Sequence, residues 1–493
     1  MKTSHKTATA FLVISALSCT DLHKDPIGLL TPEQINTDPT LNSVQLSVTS
    51  SYQMLASTLN LLGEWRWDLG TVFRNDFILD DIASDDVKKK WNPDGDQAWM
   101  DQVFSFNFTS SNQAFGGSWA YDYEGISRSN LAISYLTNPE IITKIGIDPA
   151  LKNRLLGEAY FLRAFYYFDL VNDFGDVPLL LTPLKSFEEA YAVAKRETAA
   201  NVYAQITADL ALAKTLLPNS KHSSSAERWR ASKGAVLALQ AKVALFNERW
   251  TDVITIVTEL EGLNFYSLNA NYFDSFAVAT EGTETEVIFA YDHQSGQNPR
   301  KGNGLCAPLD WGFIAPTDNF LAEFEAGDPR LAYTVNVTDK AVYKLLGATN
   351  RSYIGNDDAP SNKVYIRLAD VLLWKAEAYL EGGNHAQAIA IINAIRARAR
   401  TGVTVSGVLP PAGTLPDRIA STDAAQIRSW LTHERRVELG FESQRFNDLK
   451  RWGTGKQVLA ALGKNFQDHN YLYPIPQGEI DKSGGSITQN PGY

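Results

Sequence analysis

The chain has 493 residues, 44% of them hydrophobic, 11% aromatic and 20% charged, enough apolar material for a large core or more than one domain. A formal net charge of -11 supplies no basic surface to neutralise phosphates, which argues against nucleic-acid binding. Cys19 and Cys306 form neither a disulfide framework nor a CxxC zinc or redox pair.

Residues 1–18 have the outline of a secretory signal: Lys2 and Lys6, a short apolar stretch over 7–17, then mostly small residues. A small residue just before Cys19 resembles a bacterial lipobox, in which the cysteine is lipidated and becomes the mature N-terminus. Ala16 stands where leucine is usual, and a plain cleavable signal is the alternative. No other stretch approaches eighteen uninterrupted apolar residues, so the membrane would be reached through the lipid alone. Residues 19–40 read as an extended, lipidated tether.

Helical periodicity is predicted from 41 to 62. Residues 65–125 are turn-rich, with Trp65, Trp67, Trp91, Trp99 and Trp119 set among Asp, Asn and Gly. From 151 onward amphipathic helices dominate, interrupted at 264–362 by loops and a strand at 286–291. Helices return at 365–381, 386–400 and 424–452, separated by a Gly/Pro/Thr-rich loop over 402–423 of the length that more often carries an interaction surface than none.

Residues 241–260 lie without gaps over 376–395, each reading as a helix, a tight turn and a second helix. The predicted fold is mostly α: tetratricopeptide-like helix pairs forming a scaffold, with long loop-rich insertions and a few short strands. Regions 41–230 and 231–493 would form one compact unit. The stretch Gly157–Leu180 carries Tyr160, Phe161, Phe165, Tyr166, Tyr167 and Phe168 on a helix apolar nearly all round. Such a helix is buried on several sides, so these rings are read as core rather than as ligand contacts.

The catalytic survey is mostly negative. The seven histidines have no HExxH spacing, and neither a GxSxG elbow nor a strand-borne GxGxxG occurs. Gly453-Thr-Gly-Lys456 lacks the first glycine and the Ser/Thr of a phosphate loop and reads as a helix C-cap. Asp80, Asp81, Asp85 and Asp86 read as solvated turns and N-caps, although a glycosidase pair among the 56 acids stays open. Asp94 and Asp96 offer a weak calcium signal without EF-hand spacing; no cofactor is otherwise indicated. The tryptophans Trp65, Trp67, Trp91, Trp99 and Trp311 lie outside helical core patterns, among Asn92, Gln97, His293, Asn298, Arg300, Lys301 and Asn303. Flat apolar faces beside amide and charged groups suit a polyhydroxylated ligand, because sugar C–H faces stack on rings while hydroxyls need donors and acceptors.

Several motifs carry a family resemblance. Residues 157–170 with Phe174-Gly-Asp-Val-Pro-Leu179, 367–373 with Asn393-Ala-Ile-Arg-Ala-Arg398, 434–442 with 445–452, and the closing segments 471–476 and 489–493 fall in order along the chain and resemble the SusD/RagB family. Ser18-Cys-Thr-Asp-Leu22 is similar to its lipoprotein start, and Ser443 stands where glycine is common. The resemblance implies a non-catalytic, lipid-anchored protein exposed at the outer-membrane surface. It would bind glycan or oligosaccharide and deliver it by a hinged, lid-like motion to a SusC-like TonB-dependent barrel; a peptide or another nutrient is the alternative ligand. Glu434, Arg435, Arg436, Glu442 and Arg445 belong to the shared scaffold motifs and are expected to form buried ion pairs. The family's ligand-contacting aromatics lie in variable loops, and by location Trp91, Trp99, Tyr291 and Trp311 are the candidates.

Overall fold

The computed structural model describes residues 36–90, 95–184, 186–222, 224, 227–338 and 341–493. The expectations for the signal, Cys19, Trp91 and Asp94 fall outside these residues. The end of the expected tether is tied down: Lys144 Nζ donates to Thr37 O at 3.0 Å and pairs with Asp38 at 3.1 Å.

The long helices are α1 (Leu41–Gln53), α2 (Gln113–Thr137), α3 (Pro149–Phe174), α4 (Ala199–Leu216), α5 (Lys233–Phe246), α6 (Trp250–Gly262), α7 (Leu368–Glu381), α8 (His385–Thr401) and α9 (Ala424–Leu439), followed by the shorter α10 (Arg445–Arg451) and α11 (Gly455–Ala461). Each helix from α1 to α8 packs on its successor, and α9 packs on α7 and α8. The α5–α6 and α7–α8 pairs are the two self-similar segments of the sequence. α6 meets α7 directly, so residues 263–367 form an insertion looped out of an otherwise continuous helical array.

The helix starts obey local chemistry. Thr40, Asn112, Asp148, Thr198, Ser232 and Asp423 each accept a backbone N–H in the first turn of the helix they cap, satisfying donors that the helix itself cannot. Pro149 occupies the first turn of α3, where its missing N–H costs nothing. Gly453, at φ +66, donates to Lys450 O at 3.0 Å and closes α10, the C-cap expected of the GTGK stretch.

Three departures from the sequence reading have local causes. α1 stops at Gln53 rather than 62, and the next residues turn inward to bury Met54, Leu55 and Ala56. The 65–125 region is not loop throughout: Ala98–Ser105 is a helix, and Trp119 lies buried within α2. The single helix expected over 424–452 breaks after Leu439, where Phe441 and Ser443 take φ of +63 and +56. This left-handed geometry favours glycine; Ser443 is held in it with its N–H and hydroxyl directed to the Asp81 carboxylate at 3.2 and 3.3 Å.

One hydrophobic cluster runs from Val44 to Ile487, spanning both regions. α3 lies within it. Phe161, Phe165, Tyr166, Tyr167 and Phe168 are buried, with Tyr160 half-buried. Phe165 packs edge-on against Tyr365 at 5.3 Å and tilts against Phe289 at 5.7 Å. Those partners belong to two paired antiparallel strands, β1 (Val287–Tyr291) and β2 (Lys363–Arg367), which lie within the insertion.

Candidate functional site

Two segments distant in sequence meet because Val87–Lys88 pairs antiparallel with Ala315–Pro316. The loop over 63–70 thereby comes beside Trp311 and Phe313. Trp67 is the inner ring, contacted edge-on by Phe73 at 5.7 Å and Phe313 at 6.0 Å. Trp65 stacks against Trp67 at 6.5 Å and 25°, and Trp311 completes the group at 6.4 Å from Trp65 and 6.0 Å from Trp67. Trp65 is 52% exposed, and Trp67 and Trp311 are half-buried.

Local backbone geometry projects Trp65 outward. Its φ is +44, unusual for a bulky residue. Asn60 Oδ1 accepts its N–H at 2.9 Å, and its carbonyl accepts from Trp67 N at 2.9 Å. Such strain costs about 1–3 kcal/mol and accumulates at functional sites. Gly70 anchors the loop to the scaffold: a Cβ there would lie 2.1 Å from Gln113 O at the start of α2. Alternating with the two indoles along the chain, Arg66 and Asp68 form an exposed bidentate pair at 3.0 and 2.9 Å, charged hydrogen-bonding groups next in sequence to the rings. Trp65 and Trp67 stood out in the sequence, but Arg66 and Asp68 did not, although the alternation of ring and charge over 65–68 is a signal that could have found them; Phe73 and Phe313, which contact Trp67 edge-on, carried no such signal.

The remaining candidates are placed differently. Trp99 is only 7% exposed, its indole N–H donating to Gln97 Oε1 at 2.7 Å. Tyr291 is 8% exposed, on a strand buried at every position, and packs on His293 at 4.8 Å. Both present packing faces rather than a ligand surface, contrary to the sequence expectation. His293 accepts from Ser57 N and meets Lys301 O; burial pulls its imidazole down to about 3, so it is neutral and structural. Lys301 pairs with Asp292 and Arg300 with Asp357. Asp96 faces Lys90 at 3.7 Å. Among the described residues no group of three or more His, Cys, Asp or Glu is arranged to hold a metal.

The acid clusters are not solvated turns: Asp81, Asp85 and Asp86 are buried. Asp85 pairs with Arg445 at 2.7 Å and Arg436 at 3.0 Å, Asp86 with Arg436 at 2.6 Å, and Asp80 accepts from Asn447 at 2.9 Å. Asp80 and Asp81 line an internal cavity of about 90 Å³, below the roughly 300 Å³ at which ligand pockets begin. Burial, then Asp86 and Asp76, pushes the Asp81 carboxyl up to about 8. The scaffold charges form ion pairs as the motifs implied. Glu438 is gripped by Arg367 at 2.7 Å, Arg330 at 3.0 Å and Arg398, while Glu434 pairs with Arg330 at 2.5 Å.

The helical-repeat scaffold thus carries a cluster of three indoles on its connecting segments. Residues 256–493 match the family described as SusD family, and residues 38–245 match the one described as starch-binding, associating with outer membrane. The chain belongs to the SusD/RagB family. It is 28% identical to SusD-like protein P2 of Formosa agariphila, over 99% of each chain. It also resembles the surface glycan-binding protein A of Bacteroides fluxus, with a TM-score of 0.73 and 24% identity over 92% of this chain and 100% of that one. A laminarin-binding SusD-like protein gives 0.71 and 24% over 92% and 100%. The Bacteroides thetaiotaomicron surface glycan-binding protein A in complex with laminarihexaose gives 0.70 and 20% over 92% and 99%. Family and neighbours are described as carbohydrate-binding proteins.

Proposed function

We propose that the protein is a non-catalytic, surface-exposed glycan-binding lipoprotein of the outer membrane, anchored through Cys19. It would capture oligosaccharide on the Trp65–Trp67–Trp311 platform and deliver it, by a hinged closure, to a SusC-like TonB-dependent barrel. The platform is the observation that carries this reading: three indoles share one cluster, with Arg66 and Asp68 beside them to meet hydroxyls. The inclination of Trp311 to Trp65 and Trp67, 48° and 59°, suits a curved chain better than a flat ribbon. Two similar structures are described with laminarin or laminarihexaose, so a β-1,3-linked glucan is the first ligand to test. The internal pairing of Asp80, Asp81, Asp85 and Asp86 favours binding over hydrolysis. No helix among the described residues is long and apolar enough to cross a membrane.

Native gel electrophoresis with laminarin in the gel tests the site. Wild type should be retarded and Trp65→Ala/Trp311→Ala much less so; equal retardation would remove the platform from the proposal. Cys19→Ala should release the protein from the membrane fraction, and co-purification of a TonB-dependent barrel would test the partner.

A further inference from the structure

A second groove, sharing no residue with the platform, has a volume of about 1060 Å³. α7 contributes Glu377 and Glu381, the start of α6 contributes Trp250, α9 contributes Trp430, and the α10–α11 turn contributes Trp452. All three tryptophans are half-buried, each keeping part of its surface exposed.

Two of these rings are held by charges. Trp452 Nε1 donates to Glu377 Oε1 at 2.8 Å. The Arg451 guanidinium grips the same carboxylate with both Nη atoms and lies 4.7 Å from the Trp452 ring centroid. Arg418 lies 5.9 Å from the Trp430 ring. Rings fixed in advance lose little freedom when a ligand arrives. The lining charges balance: the arginines 418, 428, 436, 445 and 451 face the acids Asp85, Glu248, Glu323, Glu377 and Glu381. A strongly anionic chain would meet those acids, and a cationic one the arginines. Ser429, Thr432, Thr454 and Gln457 add hydroxyl and amide groups beside the indoles. Stacking faces with neutral hydrogen-bonding groups and no net charge match an uncharged, hydroxyl-rich polymer. The volume of about 1060 Å³ lies just above the usual range of ligand pockets, about 300–1,000 Å³, and gives room for an oligosaccharide segment rather than one sugar.

We infer that this groove is a second carbohydrate-binding site, for a neutral polysaccharide segment. It rests on the reading that the protein binds glycan. Two sites on one chain make capture of the second segment intramolecular, so a long polymer is held more tightly than either site alone would hold it.

Full-length protein is run in native gels containing laminarin, pullulan, galactomannan or alginate. Four forms are compared: wild type, Trp65→Ala/Trp311→Ala, Ser429→Arg/Gln457→Arg, and the combination. Ser429 and Gln457 are exposed, so long side chains there obstruct the groove without opening the core, and Trp452→Ala serves as a second groove variant. On the neutral polysaccharide that retards wild type, obstruction should weaken apparent affinity at least threefold. The platform variant should keep a residual retardation that the combination loses. Groove variants that match wild type on every retarding polysaccharide would overturn the second site while leaving the platform intact. Residual retardation of the platform variant by alginate alone would overturn the neutral class. If no polysaccharide retards wild type, both readings fall together.

Discussion

The Trp67 and Trp311 rings lie 6.0 Å apart, tilted by 59°, although Trp67 belongs to the loop between α1 and α2 and Trp311 to the insertion between α6 and α7. Removing Trp65 or Trp311 strips a stacking face while leaving the inner Trp67 and its Phe73 and Phe313 contacts. Trp65→Ala should therefore weaken glycan binding by about 1–3 kcal/mol, the range over which interface aromatics begin to dominate, with a thermal midpoint close to wild type. Trp99→Ala, in the packed interior, should show the reverse: a lower midpoint and unchanged affinity of the folded protein. Calorimetric titration and thermal melts on the two variants separate these outcomes.

Phe165 tests the opposite assignment, core rather than site. It is 6% exposed and joins α3 to β1 and β2 through Phe289 and Tyr365. Truncation to alanine should cost about 3–5 kcal/mol through lost burial and an unfilled cavity. The denaturation midpoint should fall accordingly, and protein that still folds should bind with wild-type affinity. Intact stability with abolished binding would move α3 from scaffold to site.

These two residues mark what the sequence could and could not reveal. Periodicity exposed α3 as buried because an all-apolar circumference has one physical meaning. The α5–α6 and α7–α8 pairs declared themselves through their spacing. Trp65 and Trp67 stood out because they lie in a turn-rich region outside any helical pattern, yet nothing local joins them to Trp311. That proximity depends on the pairing of Val87 with Pro316, a long-range contact. Trp99 misled because its helix is only 8 residues long, too short for a clear period. Tyr291 misled because a fully buried strand shows no alternation. The acid clusters looked solvated because their partners, Arg436, Ser443, Arg445 and Asn447, lie near the other end of the chain.

Glu438 should be among the most sensitive charged positions. Burial alone would raise its carboxyl, but Arg398, Arg367 and Arg330 outweigh that and hold it well below the usual range. Glu438→Gln keeps the shape but leaves three buried guanidinium groups short of one negative charge, which should cost about 3–5 kcal/mol. Arg428→Ala, which breaks the partly exposed pair with Glu381, should cost less than about 1 kcal/mol. Because the Glu438 carboxyl is depressed, its contribution is present above the ordinary carboxylate pKa and is lost only as pH falls through the lower folded value. Chemical denaturation near neutrality gives the comparison; equal midpoints for the two variants would contradict the role of Glu438.

Asp81 makes the opposite pH prediction. Its carboxyl is raised to about 8, by burial first and then by Asp86 and Asp76, against the bonds from Ser443. Between the unfolded carboxylate value near 4 and about 8, the folded state holds a proton that the unfolded state has released. Folding stability carried by this group is therefore fully present below pH 4 and declines as pH rises through the window. Asp81→Asn keeps the size and stays uncharged, so it should remove that decline. Its unfolding free energy relative to wild type should be near zero or slightly negative at pH 4 and should grow more positive toward pH 8, by up to about 1.4 kcal/mol per pH unit within the window. A difference that stays constant from pH 5 to 8 would mean that Asp81 is already ionised in the folded protein, with its charge met by groups other than Ser443.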